Sequence, residues 1–349
     1  MNKERLIIRA DGNALIGLGH VMRALALVEL FRKDFDCCFA IQNPSDDVKN
    51  LILKYCSCII ELPASSDYKA EISYLKENSI LENSWVILDG YHFDTDYQKE
   101  IKKCGCKLIS IDDIHSFAFV SDFVINHAPG VHEASYAIAS NTQMLLGLDY
   151  AILRKAFMSQ ALIGRVITDV KSIFICVGGA DPDNITCKYL SSVLMVDRIE
   201  SIYIVIGSAF CFREELNKIV HSNTHKKIEI FQNLNENELV ALMLSSDFAL
   251  APASTVSIEL AAVGIGLLIG FYVENQKNIY SGMLKNRLAW GLGDLNCLTE
   301  AEIADKLNFY TQDVQQINAQ ISNQKSKIDG FSLQRIRKRL LGESTEVSD

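Results

Sequence analysis

What most constrains this chain is a series of short apolar runs, each followed by a stretch with helical spacing, and the series goes through twice. Residues 5–9, 37–41, 85–88 and 107–111 are brief, apolar and bounded by turn formers, as strands buried on both faces are. Between them, 21–32, 46–54 and 96–103 space their apolar residues as helices do. The same grammar restarts at 173–177 and recurs at 202–206, 228–231, 248–251 and 267–271. This alternation predicts an α/β chain of two Rossmann-like, doubly wound domains, one at 1–160 and one at 161–341. Residues 155–171 carry no strand pattern and read as the joint. The closing helical stretch, 298–341, could return its last helices to the first domain, and 342–349 reads as a mobile polar tail. In such sheets ligand loops follow the strand C-termini, so two of these domains are expected to turn their loops toward a common crevice.

Size and charge narrow the function. A chain of 349 residues exceeds what one core usually serves, and 49% hydrophobic residues supply enough apolar surface for two. A formal net charge of −9 argues against general nucleic-acid binding, which needs a basic surplus. The first apolar run is too short and too charged at its edges for a signal peptide, and the most apolar region, 239–273, is broken by Asp247, Pro252 and Glu259. No membrane association is expected, and a cytoplasmic location is. None of the ten cysteines forms a Cys-x-x-Cys pair, so reduced core thiols and no metal site are expected. Nothing in the sequence calls for a cofactor, and it leaves the oligomeric state open.

Five loops after predicted strands carry candidate chemistry. The first reads from Ala10 through Asp11 to Gly17-Leu18-Gly19-His20, with Arg23, expected to touch the ligand, one turn into the helix that follows. Gly17 and Gly19 would let backbone N–H groups approach a ligand closely. A helix N-terminus disfavours imidazolium, so His20 is expected to be neutral near pH 7 and fit to act as a general base, with Asp11 as its possible partner. The bland alternative is a mere capping histidine. The second loop, Asp89-Gly90-Tyr91-His92, places a carboxylate, a phenol and an imidazole at a strand end.

In the third loop, Gly178-Gly179-Ala180-Asp181 precedes a helix and could cradle a diphosphate, although a tight strand-to-helix turn would need the same glycines. It lacks the Gly-Lys-Ser/Thr ending of an ATPase loop. The fourth places Ser254 and Thr255 at a helix N-terminus, where hydroxyls cap the helix or bind phosphate. Glu259, one turn further on an apolar helix, needs a specific partner there, and a ribose diol is one candidate. The fifth loop offers the amides of Asn275 and Gln276.

These residues carry a family resemblance. Arg9-x-Asp11, Ile16-Gly17-Leu18-Gly19-His20-x-x-Arg23, Asp112-Asp113, Leu146-Gly147-x-x-Tyr150-Ala151-Ile152-Leu153-Arg154, Gly178-Gly179-x-Asp181-Pro182-x-Asn184, Ser254-Thr255-x-x-x-Glu259-Leu260, Asn275-Gln276 and Asp329-Gly330 occur in order. The set resembles the UDP-2,4-diacetamido-2,4,6-trideoxy-β-L-altropyranose hydrolases of pseudaminic acid synthesis, over 7–336. That resemblance implies a GT-B-like fold holding a UDP-sugar. It implies that His20 activates water, that Tyr91 and Asn275 touch the sugar, that Glu259 binds ribose and that the turn containing Phe231 and Leu234 meets uracil. Ala253 and Ala180 depart from the glycine and serine often found there.

The expectation is metal-independent hydrolysis of a UDP-sugar at its anomeric carbon, with no acceptor. Its rivals are a glycosyltransferase on the same fold, a hydrolysing 2-epimerase and a non-catalytic UDP-sugar sensor.

Overall fold

A computed structural model describes residues 3–13, 17–65 and 67–342, so the tail expected to be mobile from 343 onward lies outside the described residues. The chain divides into two compact units. The first comprises residues up to Asn13, Leu18–Ile152 and the segment from Phe331. The second comprises Leu153–Gly330 together with Gly17.

In the first unit the chain runs through β1 (Glu4–Ala10), α1 (Gly19–Phe31), β2 (Phe35–Gln42), α2 (Asp46–Ile52), β3 (Cys58–Leu62), α3 (Tyr68–Asn78), β4 (Trp85–Asp89), α4 (Thr95–Lys102), β5 (Lys107–Ile111), β6 (Phe123–Asn126) and β7 (Gln143–Leu146). Among the described residues these strands form one parallel sheet in the order β3-β2-β1-β4-β5-β6-β7. The order reverses between β1 and β4, which sets the topological switch point beside Ala10 and Asp89. β4 is buried throughout and β1 from Leu6 to Ala10, so apart from Arg9 and Asp89 these stretches are apolar on both faces.

The second unit begins with α5 (Lys155–Ala161) and continues β8 (Ser172–Cys176), α6 (Ile185–Leu194), β9 (Ser201–Ile206), α7 (Arg213–His221), β10 (Lys227–Gln232), α8 (Glu236–Leu244), β11 (Phe248–Pro252), α9 (Thr255–Val263), β12 (Gly266–Phe271), α10 (Lys277–Lys285), β13 (Trp290–Asp294), α11 (Glu300–Thr311) and α12 (Val314–Lys327). Its parallel sheet has the order β10-β9-β8-β11-β12-β13, and its switch point lies between β8 and β11. The Gly178-Gly179 loop leaves β8 and the Ser254 loop leaves β11, so both flank that point.

The boundary falls at Ile152/Leu153, before the expected 160, because α5 is anchored in the second unit. Arg154, its N-cap, pairs with Glu259 on α9, and Lys325 of α12 donates to the carbonyl of Gln160. The last helix, α13 (Ser332–Leu341), belongs to the first unit. Its Ile336 and Leu340 are buried in that unit's core, and its Ser332 hydroxyl donates to the carbonyl of Ala151.

One cysteine expectation needs correction. Cys38 and Cys58 are in-register neighbours on β2 and β3 and are joined as a disulfide. The spacing of 20 residues that hides them from a motif search is spanned by α2, and strand pairing brings them together. The other eight cysteines are free thiols, and burial pushes those of Cys37, Cys56, Cys106 and Cys176 up to about 12.

Candidate functional site

In the first unit, α1 and the ends of β4 and β5 assemble a charged cluster. His20 is the second residue of α1, and Arg23 follows one turn later on the same face. Asp89 closes β4, and Asp113 follows β5. His20 Nδ1 lies 2.7 Å from Asp89 Oδ1. The Arg23 guanidinium donates to both oxygens of Asp89, from Nε at 2.9 Å and Nη2 at 2.6 Å. It also donates to both oxygens of Asp113, at 2.8 and 2.9 Å. Asp89 is completely buried and Arg23 nearly so. An acceptor carboxylate at Nδ1 places the neutral ring's proton there, leaving Nε2 as the basic nitrogen.

Three expectations change here. Asp89, not Asp11, is the partner of His20. Burial works against protonation of His20, but the charge and hydrogen bond of Asp89 outweigh it, and the pKa is raised above the ordinary value. The expected dominance of the helix N-terminus therefore fails, because a contact carboxylate is stronger than a half-charge spread over a helical turn. Arg23, expected to touch the ligand, spends its donors on two carboxylates instead. Asp89 is held well below the usual carboxylate range despite its burial, through Arg23 and His20.

Asp11 belongs to a neighbouring network. Its Oδ1 accepts from Arg9 Nη1 at 2.6 Å and from the Gln42 backbone at 2.9 Å. Arg9 is 0% exposed and also donates from Nε and Nη2 to the two oxygens of Glu71, which in turn accepts from Tyr97 and Gln42. His92 stacks on Tyr68, its Nε2 3.7 Å from Asp11 Oδ2, and burial lowers its pKa to about 4. Between Asp89 and His92, Tyr91 is 45% exposed and meets the His20 ring edge-on at 5.0 Å. Gly19 starts α1 with open space around its Cα, so a side chain there would meet nothing within 4 Å.

The second unit presents two helix N-termini at its switch point, and they differ. At α6 both oxygens of Asp181 accept, at 2.8 Å, from the backbone N–H groups of Ile185 and Thr186. The expected diphosphate cradle at that N-terminus is thus already filled by the protein's own carboxylate. A Cβ on Gly207 would come within 2.0 Å of the Gly179 carbonyl oxygen, so the β8 and β9 loops touch backbone to backbone. Gly17, at φ +77, lies near the Gly179 Cα in the same unit. At α9 the N-cap Ser254 makes no side-chain capping bond, in contrast to Asp94 at α4 and Asn235 at α8. The Ser254 carbonyl receives the Ser257 hydroxyl, and Thr255 opens the helix.

Glu259 is 7% exposed on the same helix. Arg154 donates to its Oε1 twice, from Nε at 3.0 Å and Nη2 at 2.8 Å. Burial raises the Glu259 pKa, and Arg154 opposes the rise. Asn275 and Gln276 lie in a single 3-10 turn, where the buried Gln276 turns inward and its Oε1 accepts from the Tyr272 backbone at 3.0 Å. Gln276 thus shapes its loop from within. Phe231 is the penultimate residue of β10 and is half-buried, and Leu234 follows Asn233, which adopts φ 59.

Sequence reasoning named Asp89 and Asp113 but gave neither a role. The signal was there: a carboxylate ending a buried strand beside a histidine-bearing loop at a switch point. Among the described residues no group of three His, Cys, Asp or Glu is arranged to hold a metal ion, and no helix is long and apolar enough to cross a membrane.

No protein-family model matches this chain. It is 28% identical over 290 residues to an uncharacterized protein of Methanocaldococcus jannaschii, covering 80% of this chain but only 58% of that protein. It is 24% identical over 284 residues to the UDP-2,4-diacetamido-2,4,6-trideoxy-β-L-altropyranose hydrolase of Campylobacter jejuni, covering 80% of this chain and 96% of the relative. A third relative, 24% identical over 77% of this chain and 78% of its own length, is the spore coat polysaccharide biosynthesis protein SpsG of Bacillus subtilis. Among solved structures, MurG of Acinetobacter baumannii superimposes with a TM-score of 0.66 at 11% identity, over 97% of this chain and 99% of that one. A putative UDP-N-acetylglucosamine 2-epimerase of Listeria monocytogenes gives 0.64 at 11% identity, over 100% and 99%. The fold is that of the GT-B glycosyltransferases and epimerases, two parallel-sheet Rossmann-like domains.

Proposed function

We propose that this chain hydrolyses a UDP-linked diacetamido-trideoxyhexose at its anomeric carbon, releasing UDP and free sugar without an acceptor. The observation that carries the reading is the 2.7 Å contact between His20 Nδ1 and a fully buried Asp89. It fixes the imidazole with one nitrogen occupied and leaves Nε2 as a general base. The distant kinship with the Campylobacter hydrolase supports the substrate class.

In this mechanism Nε2 of His20 takes a proton from water as the water oxygen attacks the anomeric carbon. The bond from that carbon to the diphosphate oxygen breaks, its electron pair leaves with UDP, and the sugar inverts. Asp89 steadies the imidazolium, and the proton later passes to solvent. The second unit holds the nucleotide. Backbone N–H groups at the start of α9, with Ser254 and Thr255, receive the diphosphate, because the capping position there is left open by its own side chain. Glu259 accepts from ribose, the Phe231–Leu234 turn meets uracil, and Tyr91 and Asn275 contact the sugar.

The test is incubation of purified protein with UDP-activated diacetamido-trideoxyhexoses, with no acceptor present, and measurement of UDP release. Release with inversion supports the proposal. UDP appearing only when a sugar or lipid acceptor is added would reassign the chain as a transferase. Binding of UDP-sugar without turnover would make it a sensor.

A further inference from the structure

The Arg154–Glu259 pair has a lopsided geometry. A guanidinium facing a carboxylate commonly forms two parallel bonds, one to each oxygen. Here both donors, Nε and Nη2, fall on Oε1, and Oε2 takes no hydrogen bond from any described residue. Glu259 is nonetheless almost completely buried, on a helix whose other residues from Val256 to Val263 are also buried. Oε2 is not itself fully buried, so it is the carboxylate oxygen left open to a donor that arrives from outside. The Arg154 guanidinium is itself held in place, lying over the fully buried Phe157 ring at 4.7 Å.

Resting on the nucleotide reading above, we propose that Arg154 is a positioning residue for ribose recognition: it pins Oε1 of Glu259 so that Oε2 is presented to the ribose hydroxyls. The assignment adds Arg154, which sits at the N-cap of α5, to the nucleotide site. Arg154 has a second effect through charge. Burial favours the protonated form of Glu259, Glu236 on α8 adds to that, and Arg154 is the opposing charge. Cys176 on β8 also faces the carboxylate, and its thiol, pushed up to about 12, stays neutral. Without Arg154 the carboxylate would protonate at a higher pH and lose its charge-assisted hydrogen bonds.

The experiment compares UDP with 2′,3′-dideoxyuridine 5′-diphosphate by calorimetry, from pH 6 to 8.5, on the wild type, Arg154→Met, Arg154→Lys and Glu259→Ala. The wild type should prefer UDP by about 10- to 100-fold, with little dependence on pH. Arg154→Met should lose most of that preference at pH 6 and regain part of it as pH rises, whereas the dideoxy compound binds alike in both proteins. Arg154→Lys should recover part of the preference at pH 6, and Glu259→Ala should show none at any pH. A pH-independent, wild-type preference in Arg154→Met overturns the inference, as does equal weakening of both nucleotides, which marks a merely structural residue. Failure of the wild type to bind UDP at all overturns the nucleotide reading itself, and this inference with it.

Discussion

His20 Nδ1 and Asp89 Oδ1 lie 2.7 Å apart, joining the first turn of α1 to the last residue of β4. Because Asp89 is completely buried and also gripped by Arg23, the imidazole is fixed at one nitrogen and open at the other. His20→Ala should therefore remove turnover and leave UDP affinity nearly unchanged, since the nucleotide is assigned to the second unit. Loss of a general base typically costs about 10²–10⁴-fold in rate. Steady-state UDP release is the readout, and retention of more than about a tenth of kcat would end the assignment.

The pH profile should report the same pair. His20 must be neutral to act as a base, and its pKa is raised by Asp89. Activity should thus rise with pH through a limb centred above the ordinary histidine value of about 6.5. Asp89→Asn removes the charge that raises the pKa, so the limb should move to lower pH while the plateau falls, because the ring is no longer oriented. A limb that stays in place in the variant would mean that another group titrates there.

Stability should depend on the neighbouring network. Arg9 is fully buried, and Glu71 accepts from two of its nitrogens. Glu71→Ala leaves that guanidinium with Asp11 alone, and removing one partner of a buried pair costs about 3–5 kcal/mol. Urea denaturation measures the loss directly. A change under about 1 kcal/mol would show that Arg9 finds compensation elsewhere.

The bond that breaks is open to isotopic test. Water activated by His20 attacks carbon, so a single turnover in ¹⁸O-water should label the released sugar and leave UDP unlabelled. Departure of a charge-stabilised diphosphate needs no second acid, unlike glycosidases with their two carboxylates. Label on the UDP phosphate would place attack at phosphorus and would require a different role for His20.

The sequence by itself determined the class of fold, because strands buried on both faces must be apolar throughout and the helices between them must be amphipathic. That is why the runs near β1, β2, β4, β5 and β8–β12 are legible. The elements that escaped notice are weaker for identifiable reasons. β3 is a half-buried edge strand carrying Glu61, β6 and β7 have four residues each, and β13 is interrupted by Gly291 and Gly293. The loops after strand ends were legible too, with His20, Tyr91, Ser254 and Glu259 all named from them. Which residues meet was decided by tertiary structure. Strand order β3-β2-β1-β4 sets Asp89 rather than Asp11 against His20, though Asp11 is far nearer in sequence. Pairing of β2 with β3 joins Cys38 to Cys58. Asp181 fills one helix N-terminus with its carboxylate, while the Ser254 side chain makes no capping bond at another. Residue types fix what chemistry is on offer, but hydrogen bonds are made over about 3 Å, and only the folded chain sets distances that fine.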